Sequence, residues 1–280
     1  MRTYEVFNGI EVVKGYIHSE KGEENYLCIM DIKPFAFENI NEVLEGGLFL
    51  IDKPLGWTSH DVVGRLKWLL RRHGKAPKFK IGHAGTLDPL ATGLLAICSG
   101  RWTKRIDEIQ TGTKEYTGII MMGQVTPSFD LETVPEGSFG FEHLTSEQIH
   151  ACAASFLGEQ LQTPPVYSAK QIDGKRAYES ARAGIPVEMK RTVVHVDVFE
   201  LTHIALPEVH FRIRCSKGTY IRSIANDFGE RLNSGSYLKS LRRTESAPFR
   251  VEQSMTIEAA ETMIRNLPVF TPLQGAPQTE

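Results

Sequence analysis

The chain has 280 residues, 41% of them hydrophobic, and a formal net charge of −2. That is enough apolar material for one large domain or two smaller ones, and nothing in the overall charge announces a nucleic-acid partner. The four cysteines, Cys28, Cys98, Cys152 and Cys215, form no CxxC pair, which argues against a zinc knuckle or a thioredoxin-like site. The first residues lack the continuous apolar core of a signal peptide, and no stretch approaches the roughly 20 apolar residues of a membrane span, so a soluble, cytoplasmic protein is expected.

Residues 1–46 carry nine Asp/Glu against four Lys/Arg and read as short strands between Gly and charged turns, such as Val12-Val13 and Tyr26–Met30. They form an N-terminal extension of unassigned role. Gly46-Gly47 opens a strand from Leu48 to Ile51. A helix follows from Ser59 to His73, capped by Thr58 or Ser59 and ended by Gly74, with Val62, Val63, Leu66, Leu69 and Leu70 as its buried stripe. From Arg65 to Lys80 there are seven Lys/Arg and no acid. Either a solvated helix face or a phosphate-contacting surface accounts for that run. Residues 113–122 alternate as a strand with Tyr116, Gly118, Ile120 and Met122 on one face. Thr145 and Gln148 resemble a capping box opening a helix to about Phe156. Residues 163–186, punctuated by Pro and Gly, predict a projecting loop. Val209, Phe211, Ile213 and Cys215 alternate with polar residues as a half-buried strand, and a turn at Lys217-Gly218-Thr219 leads into a helix with Ile221, Ile224, Ala225, Phe228 and Leu232 on its apolar face. Residues 251–280 are a short acidic tail, with four Asp/Glu against one Lys/Arg, so residues 47–250 carry a balance of +6.

The most informative segment is residues 80–95, KIGHAGTLDPLATGLL. His83 and Asp88 sit in a loop rich in Gly and Thr. Gly82 and Gly85 permit backbone conformations that larger residues resist, and Pro89 stiffens the chain just after the carboxylate. Taken alone, an Asp-Pro in such a loop is most simply a turn or a cap.

The whole segment, however, resembles the signature of the TruB pseudouridine synthases, GHxGTLDPxATGxL. Further segments resemble that family in the same order: FLIDKPLGWTS at 49–59 with Lys53-Pro54, KEYTG at 114–118 with Tyr116, PPVYSAKQIDGKRAYESARAG at 164–184, CSKGTYIR at 215–222 with Tyr220 and Arg222, and LKSLRRT at 238–244 with Leu241. Six motifs in order cover roughly residues 47–250. The resemblance implies an α/β (α+β) catalytic domain over 47–250, with a large, mostly antiparallel mixed sheet, flanking helices and an RNA-binding cleft. Residues 163–186 become its RNA-gripping insertion. It implies isomerisation of uridine-55 in the T loop of tRNA, with no metal or other cofactor and no obligate protein partner. The thirty residues after Arg250 are too few for the small RNA-binding PUA domain that family members commonly carry.

The chemistry agrees with those residue types. Converting uridine to pseudouridine breaks the bond from ribose C1′ to uracil N1 and rejoins the sugar to C5, without redox change or consumption of water. It needs a nucleophile that can attack and later leave, and an ionised carboxylate does both. The resemblance gives that role to Asp88, with Arg222 keeping it charged and aimed. It assigns base stacking to Tyr116, proton removal to Tyr220, and the space left by the flipped-out uridine to His83. Leu241 lines the base pocket, and Lys53 and Pro54 support it. Phosphate contacts are expected from Arg65–Lys80 and from Lys170, Lys175 and Arg176.

Three rival readings stay open on the sequence. A retaining glycosidase or nucleosidase needs a second carboxylate about 5 Å from the nucleophile, which Asp130 or Glu115 could supply in space. A non-catalytic RNA-binding or RNA-folding module needs the basic helix but not Asp88. A guide-RNA-dependent synthase shares the motifs but normally requires a PUA domain and protein partners.

Overall fold

The computed structural model describes residues 4–7, 10–13, 34, 37–76, 78–168, 171–172, 175–176 and 189–269. In chain order these form strands β1 (Tyr4–Phe7) and β2 (Ile10–Val13), helix α1 (Ile40–Glu45), β3 (Gly46–Lys53), α2 (Ser59–His73), β4 (Ile81–His83), β5 (Ala91–Gly100), β6 (Lys114–Met122), α3 (Ser146–Ala154) and β7 (Gly158–Gln162). There follow the short pair β8 (Gln171–Ile172) and β9 (Lys175–Arg176), then β10 (Thr192–Ala205), β11 (Glu208–Cys215), α4 (Ile221–Arg231), β12 (Ser236–Ser246), β13 (Phe249–Arg250) and α5 (Ile257–Asn266). The expected projecting loop at 163–186 lies largely outside the described residues, as do the side chains of Lys170, Lys175 and Arg176.

The core of the molecule is a nine-stranded mixed sheet in the order β3-β5-β12-β6-β11-β10-β7, with β4 on β5 and β13 on β12. Every neighbouring pair is antiparallel except β5 with β12. This is the expected α+β architecture. The parallel contact sets Leu241 opposite Ala91 and Arg243 opposite Gly93, so the start of β5, just after Asp88, lies beside β12. Gly93 makes this approach possible: its φ is +100°, and a Cβ there would lie 2.3 Å from the Arg243 carbonyl oxygen.

The helices read from the sequence form where their apolar periods place them. Thr58 and Asp61 close a capping box on α2, and Thr145 and Gln148 close one on α3. Gly74 ends α2 in right-handed helical geometry (φ −79°), so it stops the helix without the left-handed cap that glycine often supplies. Strand β11 buries Val209, Phe211, Ile213 and Cys215 as expected. Two segments differ from expectation. Residues 40–45 are a helix, capped by Asn39, and its Ile40 and Val43 are fully buried in the main core. Residues 257–266 form amphipathic α5, whose Ile257, Ala260 and Ile264 enter the same core as α2. Both ends of the main domain therefore reach past the 47–250 read from motifs, because each adjoining segment has an apolar stripe to bury.

Candidate active site

Asp88 sits in the loop between β4 and β5, and three buried donors hold that loop from behind. The Ser59 hydroxyl, at the start of α2, donates to the Leu87 carbonyl at 2.9 Å and accepts the Leu87 N–H at 2.8 Å. The Lys53 ammonium is completely buried and donates to the carbonyls of Pro54 (3.0 Å), Trp57 (2.6 Å) and Pro89 (3.4 Å). Burial pushes the Lys53 pKa down to about 8, against the pull of Asp88. The third donor is Arg243, 1% exposed, whose guanidinium reaches the carbonyls of Leu94 (2.7 Å), Gly85 (3.1 Å) and Thr86 (3.3 Å). The residues around Asp88 are thus fixed on both sides of the carboxylate.

Arg222 is the second residue of α4 and only 3% exposed. A cation in a helix's first turn opposes the macrodipole, so its burial there needs specific anionic partners. It has two. Nε lies 3.0 Å from Asp88 Oδ2 and 3.6 Å from Asp130 Oδ2, while Nη1 donates to the Ser128 carbonyl at 3.2 Å. The Nε–H is not aligned for a hydrogen bond, so the contact with Asp88 is an ion pair held by proximity rather than by direction. Asp130 is 4% exposed and accepts the Glu132 N–H at 3.0 Å. Burial raises its pKa, and Arg222 offsets part of that rise. Asp130 and Arg222 line one small cleft with Asp88, Leu90, Ala91 and Leu238–Leu241.

The other expected residues converge on this loop. Tyr116 on β6 is buried, and desolvation raises its phenol pKa while the neighbouring Arg243 cation opposes the shift. Tyr220 caps α4, and burial, followed by the charge of Asp88, keeps its phenol protonated. Its backbone is gripped at both ends by the buried Gln162 side chain, which accepts the Tyr220 N–H at 2.8 Å and donates to its carbonyl at 3.0 Å. His83 ends β4. Its Nδ1 is buried without a hydrogen-bond partner, and desolvation, then Arg243 and His60, lower its pKa. Leu241 lines the cleft, and Pro54 supplies a carbonyl to Lys53.

Sequence reasoning missed Arg243 and Gln162, and considered Asp130 only as a rival's second acid. Arg243 was within reach: it follows Leu241 by two residues on one strand, which puts both on the same face. Of the two candidate second acids, Glu115 is turned away to Arg212 and Thr244. Asp130 does come to Asp88, but as the buried partner of Arg222. Among the described residues no cluster of three or more His, Cys, Asp or Glu could hold a metal ion, and no helix is long and apolar enough to cross a membrane. Cys98, Cys152 and Cys215 are buried free thiols.

A carboxylate paired with a buried guanidinium, beside two tyrosines and an apolar wall where β5, β12 and β6 run together inside the mixed sheet, has the make-up of an enzyme site. Comparison with known proteins narrows this class. Residues 71–221 match the family model described as TruB family pseudouridylate synthase (N terminal domain). The tRNA pseudouridine synthase B of Flavobacterium johnsoniae is 52% identical over 227 residues, 80% of this chain and 98% of the relative. That of Chloroherpeton thalassium is 51% identical over 214 residues, 76% and 88% of the two. Among solved structures, a chain of a Cbf5-Nop10-Gar1 complex superposes with a TM-score of 0.62 at 27% identity, covering 83% of this chain. A chain of an H/ACA RNP bound to a substrate RNA containing 2′-deoxyuridine gives 0.58 at 25%, covering 79%. This chain spans 59% and 54% of those two solved chains. It belongs to the TruB family of pseudouridylate synthases.

Proposed function

We propose that this chain isomerises uridine-55 in the T loop of tRNA to pseudouridine, with Asp88 as the nucleophile. It is an isomerase of its family, and its relatives at about 50% identity carry the name tRNA pseudouridine synthase B. The observation that carries the mechanism is the buried Arg222 held between Asp88 and Asp130. In that setting Arg222 pairs with Asp88 and holds its carboxylate at the cleft. Asp130 balances the guanidinium from behind, so Arg222 does not have to be neutralised by Asp88 alone. Uridine within a folded loop is flipped out to reach the carboxylate, stacks on Tyr116 and packs against Leu241, while His83 fills the vacated position. As the glycosidic C1′–N1 bond gives way to C1′–C5, the proton on C5 must leave and N1 must gain one. Tyr220 stands beside Asp88 for that transfer. Its raised pKa means that it starts as a neutral phenol, so it serves as a relay rather than as a ready anion.

The domain over 47–250, extended by α1 and α5, is read as the catalytic unit, with the segment 163–186 gripping the T arm. Single-stranded loops are where proteins reach and unstack RNA bases, which favours a stem-loop substrate. Mapping pseudouridine in tRNA from cells with and without this chain tests the proposal. The expected result is loss of the modification at position 55 alone, and an unchanged map contradicts it.

A further inference from the structure

The outward face of α2 has no part in the site above, and it carries an unusual surface. His60, Gly64, Trp68, Arg71 and Arg72 are all exposed along it. Trp68 is 45% exposed, with the guanidinium carbons of Arg65 and Arg72 at 5.3 Å and 5.4 Å from its ring centroid. Gly64, one turn earlier, has open space where a Cβ would stand, so the helix is cut away beside the indole. Gly64, Lys67, Trp68, Arg71 and Arg72 line a single groove.

Stability alone accounts for part of this. Arg65 is tied by two hydrogen bonds to Glu261 of α5, and cations in the last turn suit the helix dipole. Neither explains an exposed indole beside a glycine. Among the described residues Asp61 is engaged in the capping box and Glu261 with Arg65 and Arg265. Among the described residues Arg72 has no carboxylate partner, its only contact of note being the ring. The helix starts at the catalytic loop, because Ser59 bonds Leu87 next to Asp88. At 1.5 Å per residue, Trp68 is about 14 Å and Arg72 about 20 Å along the axis from that anchor.

We propose that this face is a second RNA-binding surface: an unpaired base of the substrate stacks on Trp68 while Lys67, Arg71 and Arg72 take the adjoining phosphates. Arg72 then moves from the indole to a phosphate, exchanging one favourable contact for another. The groove fits RNA rather than an acidic peptide because it offers a flat aromatic platform together with the cations, and a peptide carboxylate would use only the latter.

The test compares wild type, Trp68→Ala, Trp68→Phe and a Lys67→Glu/Arg72→Glu double variant on a tRNA transcript. Trp68→Ala should raise KM and Kd roughly fivefold or more, the low end for losing one base–aromatic stack, with kcat at saturation unchanged. Trp68→Phe keeps a π-face and should stay within about threefold of wild type, while losing RNA-induced quenching of indole fluorescence. The double variant should flatten the dependence of affinity on salt by about two phosphate contacts. Wild-type binding by Trp68→Ala, with quenching retained in Trp68→Phe, would overturn the inference. The inference rests on the pseudouridine-synthase reading, and the two fail differently. If wild type forms no product, that reading falls. If wild type reacts and Trp68→Ala binds as well, only the second surface falls.

Discussion

The Ser59 hydroxyl ties the start of α2 to the loop bearing Asp88, yet the cations of that loop and of the outer face of α2 live in opposite settings. Arg222 and Arg243 are 3% and 1% exposed, and they are held by carboxylates, backbone carbonyls and, for Arg243, the Tyr116 hydroxyl. On α2, by contrast, Arg72 and Trp68 face solvent, and Arg65 pairs with Glu261 at the surface. Buried cations cost desolvation and are tolerated where position matters, so they aim the chemistry. Exposed cations are cheap, screened and interchangeable, so they supply affinity for a polyanion. Substitutions in the first region should therefore act on kcat, and those in the second on KM.

The largest effect is expected from Asp88→Asn. Turnover should fall by about a thousandfold or more, with tRNA binding kept within a few fold, because an amide cannot serve as the departing nucleophile. Appreciable turnover by the pure variant would contradict the mechanism. Arg222→Ala comes next, with a kcat loss of roughly a hundredfold or more and little change in KM. A variant that only binds RNA more weakly would move Arg222 to the affinity side of the comparison.

Arg243→Met and Arg242→Ala separate position from charge on adjacent residues. Arg242 makes a two-pronged pair with Asp52 on the other face of β12, away from the loop. Arg243→Met should lower kcat about a hundredfold, since Gly85, Thr86 and Leu94 lose their donor and Asp88 its alignment. Arg242→Ala should cost less than about threefold. Equal losses in steady-state kinetics would mean that charge alone matters. Asp130→Asn removes the counter-charge from Arg222 without emptying its place, and should lower kcat about tenfold at constant KM.

The smallest effect is a pH dependence of stability. Folded Lys53 has its pKa lowered to about 8 by burial, while the unfolded chain titrates near 10.5. Between those values the unfolded state binds more protons, so the contribution of this group rises as pH increases through that window and is lost as pH falls through 8. Lys114, lowered to about 8 for the same reason, adds a second such rise. Urea unfolding from pH 7 to 10 should show stability climbing less in Lys53→Met than in wild type. Parallel profiles would rule out the buried-ammonium account.

Much of this was legible in the chain. The capped, amphipathic α2, the alternation of β11 and the loop bearing Asp88 follow from local periods and turn residues, and Arg222 follows from a motif at a helix start. Three contacts were hidden because only tertiary pairing makes them. Gln162 reaches Tyr220 across 58 positions, Arg222 meets the Asp130 segment across more than ninety, and Arg243 reaches Gly85 across 158. The parallel pairing of β12 with β5 leaves no local trace: alternation puts Arg243 on the face of Leu241, but only that pairing brings this face to the loop bearing Asp88. The helices α1 and α5 are obscured for a different reason: they are short, 6 and 10 residues, and their few buried positions, Ile40 and Val43 or Ile257, Ala260 and Ile264, lie in acidic end segments.

The most direct test of the central claim is a single-turnover assay of the purified chain on a T-arm hairpin transcript, scored for pseudouridine at the target uridine. The account predicts stoichiometric conversion with no guide RNA, metal or second protein added. Absence of product from both the hairpin and whole tRNA, with activity appearing only when a guide RNA is supplied, would contradict it.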